Sequence, residues 1–365
     1  MTTKPPQGDG PAPFARTTLP GRIVFGDGAL SQLAPELDAR QLRRAMVITS
    51  KYDAHLGEAA RAVLGDRVVL YWDEVRQHVP VDLANRAEGA ARNSDVDVVV
   101  TLGGGSTTGL GKAVAVATGL PLAVVPTTYA GSEMTPIYGL TSDNNKRTAR
   151  DLAALPQLVV YDPQLLTTLP SAIVGPSGMN ALAHCAEALW AANADPITDA
   201  LALDGARRLT RNLPTAYRSD DSASRGELLI AACLAGIALG TVGTSLHHGL
   251  CHLLGGMFDA PHAETHAIVL PYAVGYLHSA VPTAAARLAE AIDTTPAQLA
   301  CRLWDIGKEV GTPEGLKALG LTEKQIAQAA STAIERKLSS PRSLEYAGLH
   351  AALHAAWTGE PPATA

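Results

Sequence analysis

Five of the chain's eleven histidines fall within SLHHGLCHLLGGMFDAPHAETH, residues 245–266. His248 and His252 stand four residues apart, as neighbours on one helical face do, and His262 follows an Asp-Ala-Pro turn at the mouth of the next helix. Upstream, GMNALAHCAEALW has helical spacing that sets Asn180, His184 and Glu187 on one face. Imidazoles brought to one cleft from separate turns either ligate a metal or polarise a carbonyl and pass protons near neutral pH. The metal reading needs a carboxylate or thiolate to complete the shell. Asn180 holds the carboxylate-shaped position, and HAETH has Ala263 where a zinc-protease motif requires Glu. The expectation is an acid–base wall around an organic acid, with no metal bound. The plain alternative for any one of these histidines is a satisfied place in helix packing.

A second feature lies in the first half. The apolar run 97–102 enters Gly103-Gly104-Gly105-Ser106-Thr107-Thr108 and continues into GLGKAVAVATG, the pattern of strand, tight turn and helix. Such glycines let backbone N–H groups crowd an anion, and the helix N-terminus adds a favourable dipole. The spacing fits neither G-x-G-x-x-G, which needs a glycine where Thr108 stands, nor G-x-x-x-x-G-K, which needs one where Ser106 stands. Phosphate binding and a plain tight turn both stay open. PTTYAGSEMTPIY, 126–138, reads as a polar loop at the same end of the sheet. There Thr127, Thr128 and Ser132 can donate to a pyrophosphate or ribose, and Met134 and Tyr138 can wall an aromatic ring; an ordinary Ser/Thr-rich turn is the alternative.

Positioning these groups requires a scaffold, and its texture is readable. Short β-branched runs at 21–26, 45–50, 67–72, 97–105, 120–128 and 158–163 alternate with helical patterns, pointing to a largely parallel sheet covered on both faces. Beyond about residue 171 the chain turns Ala- and Leu-rich with few β-branched clusters. The expected layout is a loose tail over 1–18, a Rossmann-like α/β dinucleotide-binding domain over 19–170, an all-α domain over 171–357 and a loose tail over 358–365. The longest apolar run, 228–240, is shorter than the ~20 residues that span a bilayer and reads as a buried helix.

The formal charge of −6 and scattered Lys and Arg provide no basic field for nucleic acid or an anionic membrane. Four cysteines without C-x-x-C spacing, in apolar contexts, fit reduced thiols of a cytoplasmic protein. The partner expected is a small organic acid.

Taken together, GGGSTTGLGKAVA, PTTYAGSEMTPIYGLT, GMNALAHCAEAL and HHGLCHLLGGMFDAPHAETHAIVLPYAV resemble the maleylacetate reductases, a branch of the iron-containing alcohol dehydrogenase superfamily. The resemblance runs in order from residue 21 to about 356. It implies NADH or NADPH as cofactor, a cleft between the two domains and a homodimer. Metal-dependent relatives bind iron or zinc through an Asp and three His, positions that fall on Asn180, His184, His248 and His262; loss of the Asp is characteristic of this branch. Gly109 likewise replaces an Asp of those relatives. By the same resemblance Gly104, Gly105 and Ser106 hold the pyrophosphate, and Thr127, Thr128, Ser132, Met134 and Lys146 line nicotinamide and ribose.

The reaction so implied reduces the carbon–carbon double bond of an unsaturated 4-oxo diacid. His248 and His252 are the groups expected to polarise the ketone and protonate the enolate, with His184 and His262 also catalytic, and Asn180, Tyr138 and His266 binding substrate. The branch typically carries Lys where this chain has Gly249, and Asn-Pro-Arg where it has Ser340-Pro341-Arg342; DLAALP, 151–156, lacks an Arg often found there. These departures admit a rival: a paralogue acting on a different enone acid, or performing dehydration, isomerisation or cyclisation in the same cleft.

Overall fold

The computed structural model describes residues 16, 18–19, 21–142 and 145–362, without the side chains of 145 and 146. Six parallel strands, β1 (Arg22–Phe25), β2 (Ala45–Ile48), β3 (Val68–Trp72), β4 (Val98–Gly103), β5 (Leu122–Pro126) and β8 (Leu158–Tyr161), form a sheet in the order β1-β8-β5-β4-β2-β3. All six coincide with the β-branched runs. Both faces are covered because the residues alternate: Val98, Val100 and Leu102 pack toward α1 (Leu33–Asp38) and α2 (Ala54–Leu64), while Val99 packs toward α3 (Val81–Asn93) and α4 (Gly105–Thr118). The chain reverses direction across the sheet between β2 and β4, so the carboxyl end of β4 opens a crevice of the kind that holds ligands in such sheets.

An antiparallel hairpin, β6 (Ile137–Ser142) and β7 (Asn145–Arg150), interrupts this pattern. It was not legible as strands: the segment to Tyr138 reads as loop, whereas the structure ends the loop at Pro136 and pairs Tyr138 with Ala149. Its period-2 signal is short, and the pairing is fixed from outside. Thr141 donates its N–H to the Val79 carbonyl at 3.1 Å and its hydroxyl to the His78 carbonyl at 2.7 Å.

The second half is helical: α5 (Ser171–Ala188), α6 (Pro196–Arg218), α7 (Ser222–Val242), α8 (Leu246–Phe258), α9 (His262–Leu277), α10 (Pro282–Ala291), α11 (Leu299–Glu309), α12 (Glu323–Glu335) and α13 (Tyr346–Thr358). Helix α7 is long and apolar enough to cross a membrane, yet its apolar residues are packed into the core it shares with α5 and α6. Described residues of both expected tails make contacts with the helical half. Arg16 donates to Asp195 at 3.1 Å and to Thr198 at 2.6 Å at the start of α6. Beyond α13, the Glu360 carbonyl accepts from the Tyr272 hydroxyl at 2.8 Å and Pro362 is buried. Residues 1–15, 17 and 363–365 lie outside the described residues.

Candidate active site

The glycine turn is built as its spacing requires. Gly103 closes β4 with φ +151°, and a Cβ there would stand 2.6 Å from the Thr107 hydroxyl oxygen. Gly104 is the N-cap of α4, and no side chain caps the helix, so its first N–H groups are left for a ligand. Gly105 is exposed, and Gly104 and Ser106 are half-buried. The loop after β5 closes the other side: Thr127 N–H donates to the Gly103 carbonyl at 3.1 Å, and a Cβ on Gly104 would lie 3.0 Å from the Thr128 methyl. Gly104, Gly105, Ser106, Thr127 and Thr128 thus border one cradle. Ser132 and Met134 follow in a short 3-10 turn, both half-buried. Lys146 has its backbone opposite Thr141 in the hairpin, but its side chain lies outside the described residues.

This loop also joins the cradle to the histidines. A Cβ at Gly131 would stand 3.2 Å from His184 Nδ1 and 2.9 Å from the Ala232 carbonyl, and one at Gly236 would collide with the Gly131 carbonyl at 2.2 Å. Loop and helical domain therefore touch through glycines at both faces of the contact.

Behind the loop the imidazoles form a connected set. Ring centroids are 4.9 Å apart for His184–His248, 4.6 Å for His248–His266, 4.3 Å for His262–His266 and 5.9 Å for His248–His252. His252 and His262 stack nearly parallel at 6.1 Å and are half-buried; His184, His248, His266 and Asn180 are buried. His266 is fully enclosed, so it stands behind the wall rather than on its surface. One turn beyond His252, Gly255 and Gly256, with Asp259 just past the end of α8, line a cavity of about 630 Å³ that His78, Pro80 and Thr141 also border; the histidines of the wall do not line it.

Glu187 organises the wall. This fully buried carboxylate accepts from the backbone N–H groups of Ser245 (3.1 Å), His247 (2.7 Å) and His248 (3.4 Å), capping the start of α8, and lies 2.6 Å from His248 Nδ1. Burial pushes its pKa up, opposed by His247 and those three N–H groups. Its place on the face of Asn180 and His184 was legible, but its grip on α8 was not. The signal available was a lone acid in an otherwise apolar helix. Burial, then neighbouring imidazoles, hold His184 and His266 well below the ordinary range, and burial pulls His247 down to about 4.

A model described as iron-containing alcohol dehydrogenase matches residues 20–163, and one described as Fe-containing alcohol dehydrogenase family, C-terminal, matches 175–357. This chain belongs to that family. Its relatives include maleylacetate reductases of Rhizobium sp. strain MTP-10005, 42% identical over 96% of this chain and 99% of that protein, and of Burkholderia cepacia, 41% identical over 93% and 97%. The crystal structure of maleylacetate reductase from Agrobacterium tumefaciens superposes with a TM-score of 0.90 at 40% identity, covering 96% of this chain and 100% of that one. The chain falls in the maleylacetate reductase branch of the family and is an oxidoreductase.

The family name raises the question of iron. The four positions that would hold it carry one neutral amide and three imidazoles, Asn180, His184, His248 and His262. Iron or zinc there would be held by neutral ligands alone, without the carboxylate or thiolate that usually completes such a shell. Glu187, the buried carboxylate beside them, is already engaged by four hydrogen-bond contacts. Two other triads converge, His247–Cys251–His266 and Glu187–His247–His248; in the first, His247 Nε2, the nitrogen 3.6 Å from Cys251 Sγ, is also 3.0 Å from the His266 carbonyl, and in the second Glu187 Oε2 is 2.6 Å from His248 Nδ1. The donor set does not fit a tight iron site.

Proposed function

We propose that this protein is an NAD(P)H-dependent reductase of an unsaturated 4-oxo dicarboxylic acid, of the maleylacetate-to-3-oxoadipate type, acting without a metal as a cytoplasmic homodimer. One observation supports it most: the loop that borders the glycine cradle packs at Gly131 against His184, so a dinucleotide along that loop reaches the imidazole wall. When bound, the nicotinamide supplies a hydride to the alkene carbon β to the ketone. The protein's part is to stabilise charge on the ketone oxygen and deliver a proton. His252 and His262, half-buried beside the cleft, are placed to touch the acid. Glu187 opposite Nδ1 orients His248 and engages that nitrogen, which leaves Nε2 as the atom that exchanges a proton with the ligand. Asn180 Oδ1 and His184 Nδ1 have no hydrogen-bond partner among the described residues, as expected where a ligand supplies one. His266 supports the ring of His248 from behind, and Tyr138, half-buried in the hairpin, is the further group assigned to substrate binding.

A second reading rests on Gly249 and Arg342. A Cβ at Gly249 would lie 3.1 Å from Leu338, and Arg342 is committed to the Tyr276 carbonyl at 3.0 Å and stacks on its ring. Neither provides a cation for a second carboxylate, which favours a paralogue acting on another enone acid in the same cleft. Titration of purified protein with NADH and NADPH, followed by stopped-flow absorbance with maleylacetate, tests both. Nucleotide binding with oxidation is the expected result. Binding without oxidation, together with turnover of a different enone acid, selects the second reading, and no binding of either nucleotide sinks the first. Elemental analysis of active protein is expected to show no stoichiometric iron or zinc; metal whose chelation abolishes turnover would refute the metal-free mechanism.

A further inference from the structure

Helix α4 carries one charged residue, Lys112, and that residue is fully buried. An ammonium in an apolar interior is costly unless its hydrogens are matched. Lys112 Nζ is surrounded by four acceptors: the Ser132 carbonyl at 2.6 Å, the Thr135 carbonyl at 2.7 Å, the Thr135 hydroxyl at 3.0 Å and the Ile137 carbonyl at 2.8 Å. These lie in the second half of the connection between β5 and β6, from Ser132 to the first residue of β6. The next acidic group, Glu133, is buried in the same turn and accepts from the Tyr161 hydroxyl at 2.8 Å.

We infer that Lys112 is a positioning residue for the nucleotide: one rigid helix presents the pyrophosphate cradle at its first turn and, two turns on, grips the loop carrying Ser132 and Met134. The spacing between the two halves of the cofactor site is then set by the length of α4 rather than by the loop, whose own contacts to α7 run through glycines. A methionine would fill the same space with no cost of burying charge, so the ammonium's role is to gather oxygens. Burial draws the lysine down to about 7 and the neighbouring Glu133 opposes this, so the four oxygens at 2.6–3.0 Å are what compensates the buried amine. The inference rests on the reading of the cradle and loop as a dinucleotide site.

Lys112→Met tests it, with NADH and NADPH affinity measured by nicotinamide fluorescence. The loss of a charged hydrogen-bonding group is expected to weaken affinity at least ~10-fold. The KM for nucleotide should rise in step while that for the acid stays within about twofold, since the grip is on the loop and not on the histidines. In Lys112→Ala, ethylammonium is expected to restore affinity where ethanol does not, because the vacated site presents four oxygens to a cation with three donors, whereas a neutral hydroxyl offers one. If Lys112 variants fail to fold, Thr135→Val removes one acceptor and is expected to weaken nucleotide binding ~3-fold on its own. Unchanged affinity in folded Lys112→Met, or in Thr135→Val, overturns the inference, as does restoration by ethanol equal to that by ethylammonium. Absence of nucleotide binding by the unaltered protein fails the underlying reading instead, so the two failures are distinguishable.

Discussion

His252 and Glu187 divide the work of the wall differently, and two substitutions should separate them. His252 is half-buried, next to both His248 and His262, where it can meet a ligand directly. His252→Ala is expected to leave a folded protein that binds nucleotide but turns over at least ~10²-fold more slowly, the usual scale for losing a proton-transfer group. Unchanged turnover would return His252 to a packing role. Glu187 never meets the ligand; it acts through His248 Nδ1 and the start of α8. Glu187→Gln preserves volume but loses the charge opposite His248. An expected fall of about 10–100-fold in turnover, with nucleotide affinity kept, is the scale seen for residues that orient an imidazole. A loss confined to nucleotide affinity would contradict that assignment.

At the scale of elements, α4 and α7 approach the same loop from opposite sides. Helix α4 holds it by charge through Lys112, and α7 admits it by lacking side chains at Gly236 and Gly240. Gly236→Ala would place a methyl 2.2 Å from the Gly131 carbonyl, a backbone atom that cannot rotate away. Overpacking of this kind costs about 1–3 kcal/mol. A lowered melting temperature and weakened nucleotide affinity are both expected, because the displaced loop carries Ser132 and Met134. A variant with wild-type affinity would show that the loop is placed by β5 and β6 alone. The hairpin illustrates why such detail escaped a reading of the sequence: Ile137 to Ser142 pairs with Asn145 to Arg150 only because Thr141 is anchored on the Val79 turn, far away in the chain.

For the molecule as a whole, the histidine cluster is a liability in acid. His247 has its folded pKa drawn from 6.5 down to about 4, and His184 and His266 are also held well below 6.5 by burial. Between pH 6.5 and about 4 the unfolded chain binds protons that the folded one refuses, so stability falls as pH falls through that window and is full above it. The raised Glu187 carboxyl beside His247 opposes this trend, and three lowered imidazoles outnumber it. The urea midpoint should drop steeply from pH 7 to 4.5, and His247→Gln, if folded, should flatten that slope. A midpoint independent of pH in this range would mean that these imidazoles are protonated inside the fold.

Much was determined by the sequence alone. Six β-branched runs became six parallel strands, and the four central ones, β8, β5, β4 and β2, are almost wholly apolar because both of their faces are buried. The glycine turn and the i, i+4 histidines announced a cradle and a wall because both depend on local spacing, and local spacing is what a sequence displays. Tertiary structure decided the rest. It placed Gly131 on His184, put His266 behind the wall, clasped α8 with Glu187, wrapped Lys112 in four oxygens and seated Pro362 in the core. Each of these joins residues tens of positions apart in the chain, and a buried polar group reveals its purpose only when the partners that compensate its desolvation are known.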